Sequence, residues 1–399
     1  MPDSRHLILI ICSHPVQYMS PQLRRMAKHP QIDLQVAYCS LRGAHSGYDP
    51  DFAAAIQWDV PLLDGYNWVE IPNAGSGAES FFSLCNPGLW RLIRRNRFDA
   101  VFCHTGYLKA SFWIAFLAAR LSSSVFLFGT DANSLAPRDS QSWKVTLKKI
   151  LWPRLFSLAD QIIVPSSRTR DLMRSLGLPE ERITLTPYCV DNEWWTAQSA
   201  KVDRLAVRST WKVGAESTVV LFCAKLQPWK RPDDLLEGFA AAGIPGAVLV
   251  FAGDGPLRQS LYQRALDLRI ADHIRFLGFV NQSALPAVYT AADLMVLPSE
   301  YEPFGVVVNE ASCCGCPVAA SDRVGAAADL LAPVNPDFIF PCGDVPALTR
   351  LLQRALSDRT ELARRGRDSL RRMQSWSDRE NISGALEAVE RALSRNRAS

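Results

Sequence analysis

Apolar runs of strand length alternate with stretches of helical period along most of this chain. Leu7–Cys12 is the first such run, followed by helical periodicity over Pro21–Lys28 and a second apolar run, Leu34–Tyr38. An irregular stretch rich in Asp, Gly and Pro, Gly43 to Gly77, interrupts the pattern. It resumes with helix Gly88–Asn96, strand Ala100–Cys103, helix Lys109–Leu121, strand Val125–Phe128 and helix Lys144–Leu158. Strand Gln161–Val164, helix Arg168–Leu176 and strand Ile183–Thr186 complete the first series. Strands separated by helices of this length predict parallel βαβ units with helices on both faces of the sheet.

Thr186–Asp191 closes that series, and Trp194–Arg208 reads as an exposed connection. The alternation then restarts with strand Thr218–Cys223, helix Asp233–Ala241 and strand Ala247–Ala252, which ends in Gly253-Asp-Gly-Pro256. A helix from Leu257, strand Ile274–Leu277, helix Leu285–Ala291 and strand Leu294–Leu297 follow, then a helix containing Glu310, strand Pro317–Ser321 and a helix from Val345. The fold class is therefore α/β with two doubly wound domains, residues 1–190 and 191–376, and a terminal helix at about 377–399 expected to pack back on the first. A length of 399 residues also exceeds one ordinary core.

Composition narrows the function classes. Apolar residues at 48% and charged residues at 21% describe a globular chain. Residues 1–190 hold 20 Lys/Arg against 15 Asp/Glu, a mild excess that is no nucleic-acid footprint but suits an acidic or membrane-surface acceptor. The ten cysteines lie mostly in apolar runs, as buried thiols do in a reducing compartment, and Cys313-x-x-Cys316 lacks the second pair that a zinc site needs. Leu7–Cys12 is too short for a signal peptide and Ala110–Ala119 too short to span a bilayer, so the expectation is a cytoplasmic protein. Ser142–Phe156 mixes bulky apolar groups with bases. Such a stripe either lies on an anionic leaflet, as a peripheral contact at the inner face of a membrane, or packs on its own sheet with lysines outward; the second is the commoner case.

The segment richest in chemistry is Glu302-Pro-Phe-Gly-Val-Val-Val-Asn-Glu310, two carboxylates eight positions apart where a strand hands over to a helix. That place in an open α/β sheet is where phosphate-bearing ligands bind. With Gly315-Cys-Pro-Val downstream, the block resembles the Glu-x7-Glu motif of retaining, nucleotide-sugar-dependent glycosyltransferases of the GT-B fold, family 4. The resemblance implies two Rossmann-like domains facing a cleft, with the acceptor on the first and the donor on the second. Glu310 would hold the ribose hydroxyls, Glu302 would grip the sugar and stabilise its cationic transition state, and the backbone amides of Phe304, Gly305 and Val306 would meet the phosphate. The terminal helix, Arg379 to Leu393, would let the cleft hinge shut.

Other positions extend the likeness. Lys225 and Lys230 stand where the family usually carries an arginine and a lysine that meet the charge of a departing nucleoside diphosphate; Lys for Arg keeps the charge and loses the bidentate fork. Arg231 is a helper. Gly253-Asp-Gly255 matches a tight turn near the nucleotide, and Arg275–Phe279 resembles the segment whose backbone reads the base, which makes Phe279 a donor contact. In the first half, Ser13-His14-Pro15-Val16-Gln17 replaces a glycine pair found in many relatives, so His14 and Gln17 become sugar or acceptor contacts. His104 resembles a family histidine at a strand end. Asp131 and Asn133 take the place of a donor-facing histidine, with an Asx helix cap as the competing explanation. A lone histidine at a strand end is more often a satisfied structural group, and that reading stays open for His14 and His104.

Asp49-Pro-Asp51 fits the D-x-D pattern of metal-dependent transferases, but a Pro-containing turn explains it better, and two lysines with a helix amino end supply the positive charge. No essential metal and no bound cofactor is expected. The co-substrate would be a nucleoside-diphosphate sugar, and the partner a glycan or lipid-linked acceptor. A nucleotide-sugar epimerase of the same fold, needing acid–base groups in the first domain, and a non-catalytic scaffold are the alternatives. A dinucleotide dehydrogenase is set aside because no G-x-G-x-x-G follows a predicted strand.

Overall fold

The computed structural model describes residues 5–44, 47–49, 54–75, 81–136 and 142–398. Two compact units emerge. One comprises residues 1–47, 61–188 and 378–399; the other comprises 48–60 and 189–377.

The first unit contains β1 (His6–Cys12), α1 (Met19–Ala27) and β2 (Ile32–Tyr38). The chain next forms β3 (Gly47–Asp49) and β4 (Ala54–Ile56), which pair with each other. It returns as β5 (Asn67–Glu70), α2 (Gly88–Asn96), β6 (Ala100–Cys103), α3 (Ala110–Arg120), β7 (Val125–Gly129), α4 (Ser142–Phe156), β8 (Gln161–Val164), α5 (Ser167–Ser175) and β9 (Ile183–Leu185). The seven strands of the unit lie in the order β5-β2-β1-β6-β7-β8-β9, with parallel pairing throughout. Strands buried on both faces are apolar at nearly every position, which is why β1, β6 and β7 read as near-continuous runs rather than alternations, while the buried Gln161 that opens β8 is satisfied by Thr184 Oγ1 at 2.6 Å. Helices α2 to α5 cover one face through Ile93, Phe112, Phe156 and Met173. α1 and the C-terminal helix cover the other through Leu23, Leu386 and Val389, and Asn381 Nδ2 donates to Pro187 O at 2.9 Å.

The second unit opens with α6 (Asn192–Ser199) and α7 (Arg204–Thr210). Its sheet strands and helices are β10 (Thr218–Cys223), α8 (Pro232–Ala242), β11 (Ala247–Ala252), α9 (Arg258–Asp267), β12 (Ile274–Gly278), α10 (Leu285–Ala291) and β13 (Leu294–Leu297). α11 (Val307–Cys313), β14 (Val318–Ser321), β15 (Ile339–Phe340), α12 (Val345–Leu356) and α13 (Arg359–Met373) follow, before α14 (Asp378–Ala398) rejoins the first unit. The sheet order is β12-β11-β10-β13-β14-β15. Each unit is a doubly wound parallel sheet, as the alternation of apolar runs implies.

Two expectations need correction. Trp194–Arg208 is no exposed connection: Asp191 caps α6 at Trp194 N (3.1 Å) and Asp203 caps α7 at Leu205 and Ala206 N (both 3.0 Å). Trp195 is buried against Tyr289, and the buried Arg208 binds Asp293 at 2.6 Å. Helices of eight and seven residues with one or two inward side chains each carry too little period to read. Residues 48–60, within the span assigned to the first domain, cluster with the second unit because Trp58 meets Phe279 edge-on (5.8 Å) and Asn281 Nδ2 donates to Gln57 O (2.7 Å). Ser283 N donates to Asp59 Oδ1 at 3.1 Å in the same clasp. α4 packs on its sheet through Trp152 and Phe156, the commoner of the two cases expected for it, and Trp143, Leu147, Ile150 and Leu151 face water beside its bases.

Candidate functional site

Topology gathers the candidate residues before any side chain is considered. In the second sheet β10 sits between β11 and β13, so the winding reverses at its edge. Loops leaving the carboxyl ends of strands on either side of such a point diverge and leave room for a ligand. Lys225 and Lys230 follow β10, Gly253 follows β11, Phe279 follows β12 and Glu302 follows β13. All five therefore occupy one end of one sheet, although up to 77 positions separate them in sequence.

Backbone bonds lace these loops together. Gly253 N donates to Gly278 O at 2.8 Å, Leu226 N to Asp254 O at 2.9 Å, and Glu300 N to Trp229 O at 2.8 Å. Gly253 has φ +147°, and a Cβ there would sit 2.0 Å from Ala224 O, so only glycine lets the two loops meet. Asp254 is spent on Arg258 (2.7 Å) and on Gly255 N (2.9 Å), a structural assignment. Arg231 is bidentate to Asp234 (2.6 and 3.1 Å) and reaches Glu300 at 3.1 Å, which fixes the loop that carries Lys230.

Lys230 Nζ makes an ion pair with Glu302 Oε2, and both side chains are largely shielded from water. Gly305, at φ +97°, lets the chain turn over that carboxylate; a Cβ there would lie 3.0 Å from Glu302 Cγ. Phe304 turns its ring inward to stack on Trp376 (6.3 Å, 7°), and its carbonyl accepts from Ala326 N at 2.8 Å. Val306 caps α11, which carries Glu310 in its first turn. The Glu310 side chain is buried and accepts a 2.7 Å hydrogen bond from Tyr289 Oη, which also lies 3.3 Å from Cys223 Sγ at the end of β10. Burial pushes the Glu310 carboxyl up to about 7, against the hydrogen bonds from Tyr289 and Gln282. Tyr289 and Gln282 carry no signal in the sequence, since helix Leu285–Ala291 reads only as apolar packing.

The first unit repeats the arrangement. His14 and Gln17 follow β1, His104 follows β6, and Asp131 and Asn133 follow β7, three neighbouring strands with β1 at the reversal point. The exposed His14 has Ser13 Oγ 3.0 Å from its Nδ1. His104 stacks on Phe102 (4.2 Å, 31°), and desolvation lowers it to about 4, so it is neutral at pH 7. It borders a cavity of about 30 Å³ shared with Gln22, Thr186, Tyr188 and Asn381, enough for about one water. Burial, with the negative charge of Asp131 nearby, raises the phenol of Tyr18, whose ring lies 5.6 Å from Tyr188. The D-x-D candidate divides: Asp49 ends β3, and Asp51 lies outside the described residues. Cys313 and Cys316 are both buried, and burial pushes the Cys316 thiol up to about 12, which leaves it inert at neutral pH.

Comparisons with known proteins meet this geometry from both ends of the chain. Residues 203–372 match the family described as glycosyl transferases group 1, and residues 35–194 match glycosyltransferase family 4. These two glycosyltransferase models match the two halves of the chain in turn, 330 of its 399 residues together, and support a family 4 glycosyltransferase of the GT-B fold. It is 33% identical over 202 residues to a 2-deoxystreptamine N-acetyl-D-glucosaminyltransferase of Streptomyces fradiae, a match covering 51% of this chain and 40% of that protein. A D-inositol 3-phosphate glycosyltransferase of Mycolicibacterium smegmatis is 36% identical over 170 residues, covering 41% of this chain and 38% of the relative. The chain thus spans about two-fifths of the length of these curated relatives. The crystal structure of Anabaena HepE with UDP and glucose superposes with a TM-score of 0.70 at 18% identity, over 97% of this chain and all of the other. Sucrose-phosphate synthase of Thermosynechococcus elongatus gives 0.69 at 19% identity, over 99% of this chain and all of the other. At those identities the likeness concerns the fold.

Proposed function

We propose that this chain is a retaining glycosyltransferase. It moves a hexose-type sugar from a nucleoside-diphosphate sugar to a hydroxyl on a glycan or lipid-linked acceptor, in the assembly of a polysaccharide, lipopolysaccharide or glycolipid. The observation that carries the reading is the Lys230–Glu302 ion pair at the carboxyl end of β13, with Lys225 on the same loop as Lys230. A carboxylate already held against an ammonium group is preorganised for a ligand that separates charge. The HepE structure contains UDP and glucose, and the relatives are named as sugar transferases, which supports a nucleotide-sugar donor here.

In this reading Lys225 and Lys230 neutralise the diphosphate, steadied by Arg231 and the Gly253 turn. The backbone amides at Phe304, Gly305 and Val306 meet the phosphate at the start of α11. Glu310 accepts the ribose hydroxyls, and the base lies by Phe279. When the donor arrives, Lys230 exchanges Glu302 for phosphate oxygen, and Glu302 then faces the sugar as positive charge develops at its anomeric carbon. The sugar–phosphate bond breaks with its electron pair leaving on the diphosphate. The acceptor hydroxyl attacks the same face and gives its proton to the departing phosphate oxygen. No metal is needed in this scheme, because the lysines carry the compensating charge. His14, Gln17, His104, Asp131 and Asn133 serve the acceptor or the sugar.

A thermal-shift screen against sugar nucleotides identifies the donor, and turnover with candidate acceptors follows by nucleoside-diphosphate release. Proton NMR of the product gives the anomer. Inversion at the anomeric carbon refutes retention. A new sugar nucleotide formed without acceptor makes the chain an epimerase, and absence of diphosphate release with every donor makes it a scaffold.

A further inference from the structure

The loop that joins β12 to α10 is braced by residues that come 224 positions earlier in the chain. Residues 48–60 belong to the second unit although residues 47 and 61, on either side, belong to the first. Trp58 meets Phe279 edge-on, Asn281 Nδ2 donates to Gln57 O at 2.7 Å, and Asn281 Oδ1 accepts from Asp59 N at 3.4 Å. Asp59 Oδ1 accepts from Ser283 N at 3.1 Å, and Asp59 Oδ2 accepts from the Ser283 hydroxyl. Gln282 lies between these two clasped residues and is buried, whereas Ser283 is exposed. Its backbone N–H donates to Asn281 Oδ1 at 2.9 Å, and its side chain hydrogen-bonds Glu310. With both neighbours tied to Gln57 and Asp59, the Gln282 amide is directed at the carboxylate.

We infer that Asp59 is a positioning residue for Glu310: by holding Ser283 it aims the Gln282 side chain at the carboxylate proposed to bind the ribose hydroxyls. The inference rests on the donor reading above for what Glu310 binds. Two hydrogen bonds fix the buried carboxylate, and they come from different supports. Tyr289 Oη donates at 2.7 Å from a fully buried side chain on α10. Gln282 stands on a loop whose order comes from Gln57–Asp59. A buried carboxylate that loses one of its donors holds its proton more tightly, and the protonated form accepts hydroxyl bonds poorly. The titratable groups set against Glu310 are Tyr289, Cys223, Cys313 and Cys314. Burial raises all four far above neutral, so none of them supplies a compensating charge. Through space Asp59 acts in the opposite sense, because removing a negative charge makes another carboxyl easier to ionise. A carboxyl that becomes harder to ionise when Asp59 is removed therefore reports the lost hydrogen bond and not the lost charge.

Two readouts on the full chain test it. Carbon-13 NMR of side-chain-labelled glutamate, with the Glu310 resonance assigned by its loss in Glu310→Gln, gives the protonation midpoint with no nucleotide present. Asp59→Ala and Gln282→Met should each raise that midpoint by about 0.5–1 pH unit. Asp59→Asn, which keeps an acceptor for Ser283 N, should return it to within about 0.3 unit of wild type. Calorimetry with UDP, GDP and ADP then reads binding. For the diphosphate that binds, Asp59→Ala should weaken affinity about fivefold at pH 7 and less than about twofold at pH 9, where Glu310 is ionised in both proteins. A segment that merely stabilised the fold would weaken binding equally at the two pH values, and circular dichroism verifies that all variants fold. A midpoint unmoved or lowered in Asp59→Ala, or unmoved in Gln282→Met, overturns the inference. A midpoint that rises while nucleotide binding is unchanged, or is absent for all three diphosphates, instead refutes the donor role of Glu310 and leaves the positioning by Asp59 standing.

Discussion

Glu310 offers the sharpest test of whether this site is built for a ligand. Its carboxyl is buried, hydrogen-bonded to Tyr289 Oη at 2.7 Å, and raised from the ordinary 4.5 to about 7. A carboxyl with a raised native pKa keeps its proton in the folded protein at pH values where the unfolded chain has lost it. Stability therefore falls as pH rises from about 4.5 through about 7, and the cost is complete by pH 8. A shift of that size corresponds to on the order of 3 kcal/mol at pH 8. Glu310→Gln removes the charge and keeps an acceptor for Tyr289. The variant should be more stable than wild type by on the order of 2–3 kcal/mol at pH 8, with the gap shrinking below about 1 kcal/mol at pH 5. For a unit of this size the gain at pH 8 is about 5–10 °C in Tm. Urea denaturation followed by tryptophan fluorescence at pH 5, 6, 7 and 8 measures it. Under the proposed function the same variant should bind the nucleotide about 10- to 100-fold more weakly, since the acceptor proposed for the ribose hydroxyls loses its charge. A Gln variant no more stable than wild type at pH 8, or a stability gap that does not change with pH, would refute the reasoning.

Other expectations follow from the same site. Glu302→Gln should lower kcat about 100-fold with donor KM within about threefold, and Lys230→Ala should lower kcat/KM by about 100- to 1,000-fold; steady-state kinetics separate the two, and equal effects on KM alone would undo the assigned roles. Gly253→Ala would place a Cβ 2.0 Å from Ala224 O at φ +147°, so the second unit should lose about 3 kcal/mol or more, read by chemical denaturation; a change under about 1 kcal/mol contradicts the close approach. Trp58→Ala with Asp59→Ala removes the clasp on Phe279 and Ser283, and limited proteolysis should cut near residues 54–61 at least about tenfold faster; unchanged cleavage means the segment is held elsewhere.

Much of the architecture is written in the chain because parallel strands buried on both faces are apolar at nearly every position. Ala100–Cys103, Gln161–Val164, Thr218–Cys223, Ala247–Ala252 and Leu294–Leu297 are therefore legible to the residue. The short edge strands β5 and β15 are not, because a half-exposed strand of four or two residues shows no run. α6 and α7 are missed for the same lack of period. The Glu302–Glu310 spacing and the two lysines are likewise local signals, each readable beside its own strand.

What the linear order could not supply is which of these signals meet. Lys230 and Glu302 are 72 positions apart and touch only because β10 and β13 are neighbours across a winding reversal. Burial raises the Glu310 carboxyl, against the hydrogen bonds from Tyr289 and Gln282, and no motif announces this, because desolvation depends on what packs around a group and not on what precedes it. Residues 48–60 show the same division: nothing in an Asp- and Pro-rich stretch announces an affinity for Phe279, and only the folded chain brings Trp58 to it. Local composition fixes the elements, since hydrophobic burial is decided strand by strand. Tertiary packing alone decides which charges lose their water.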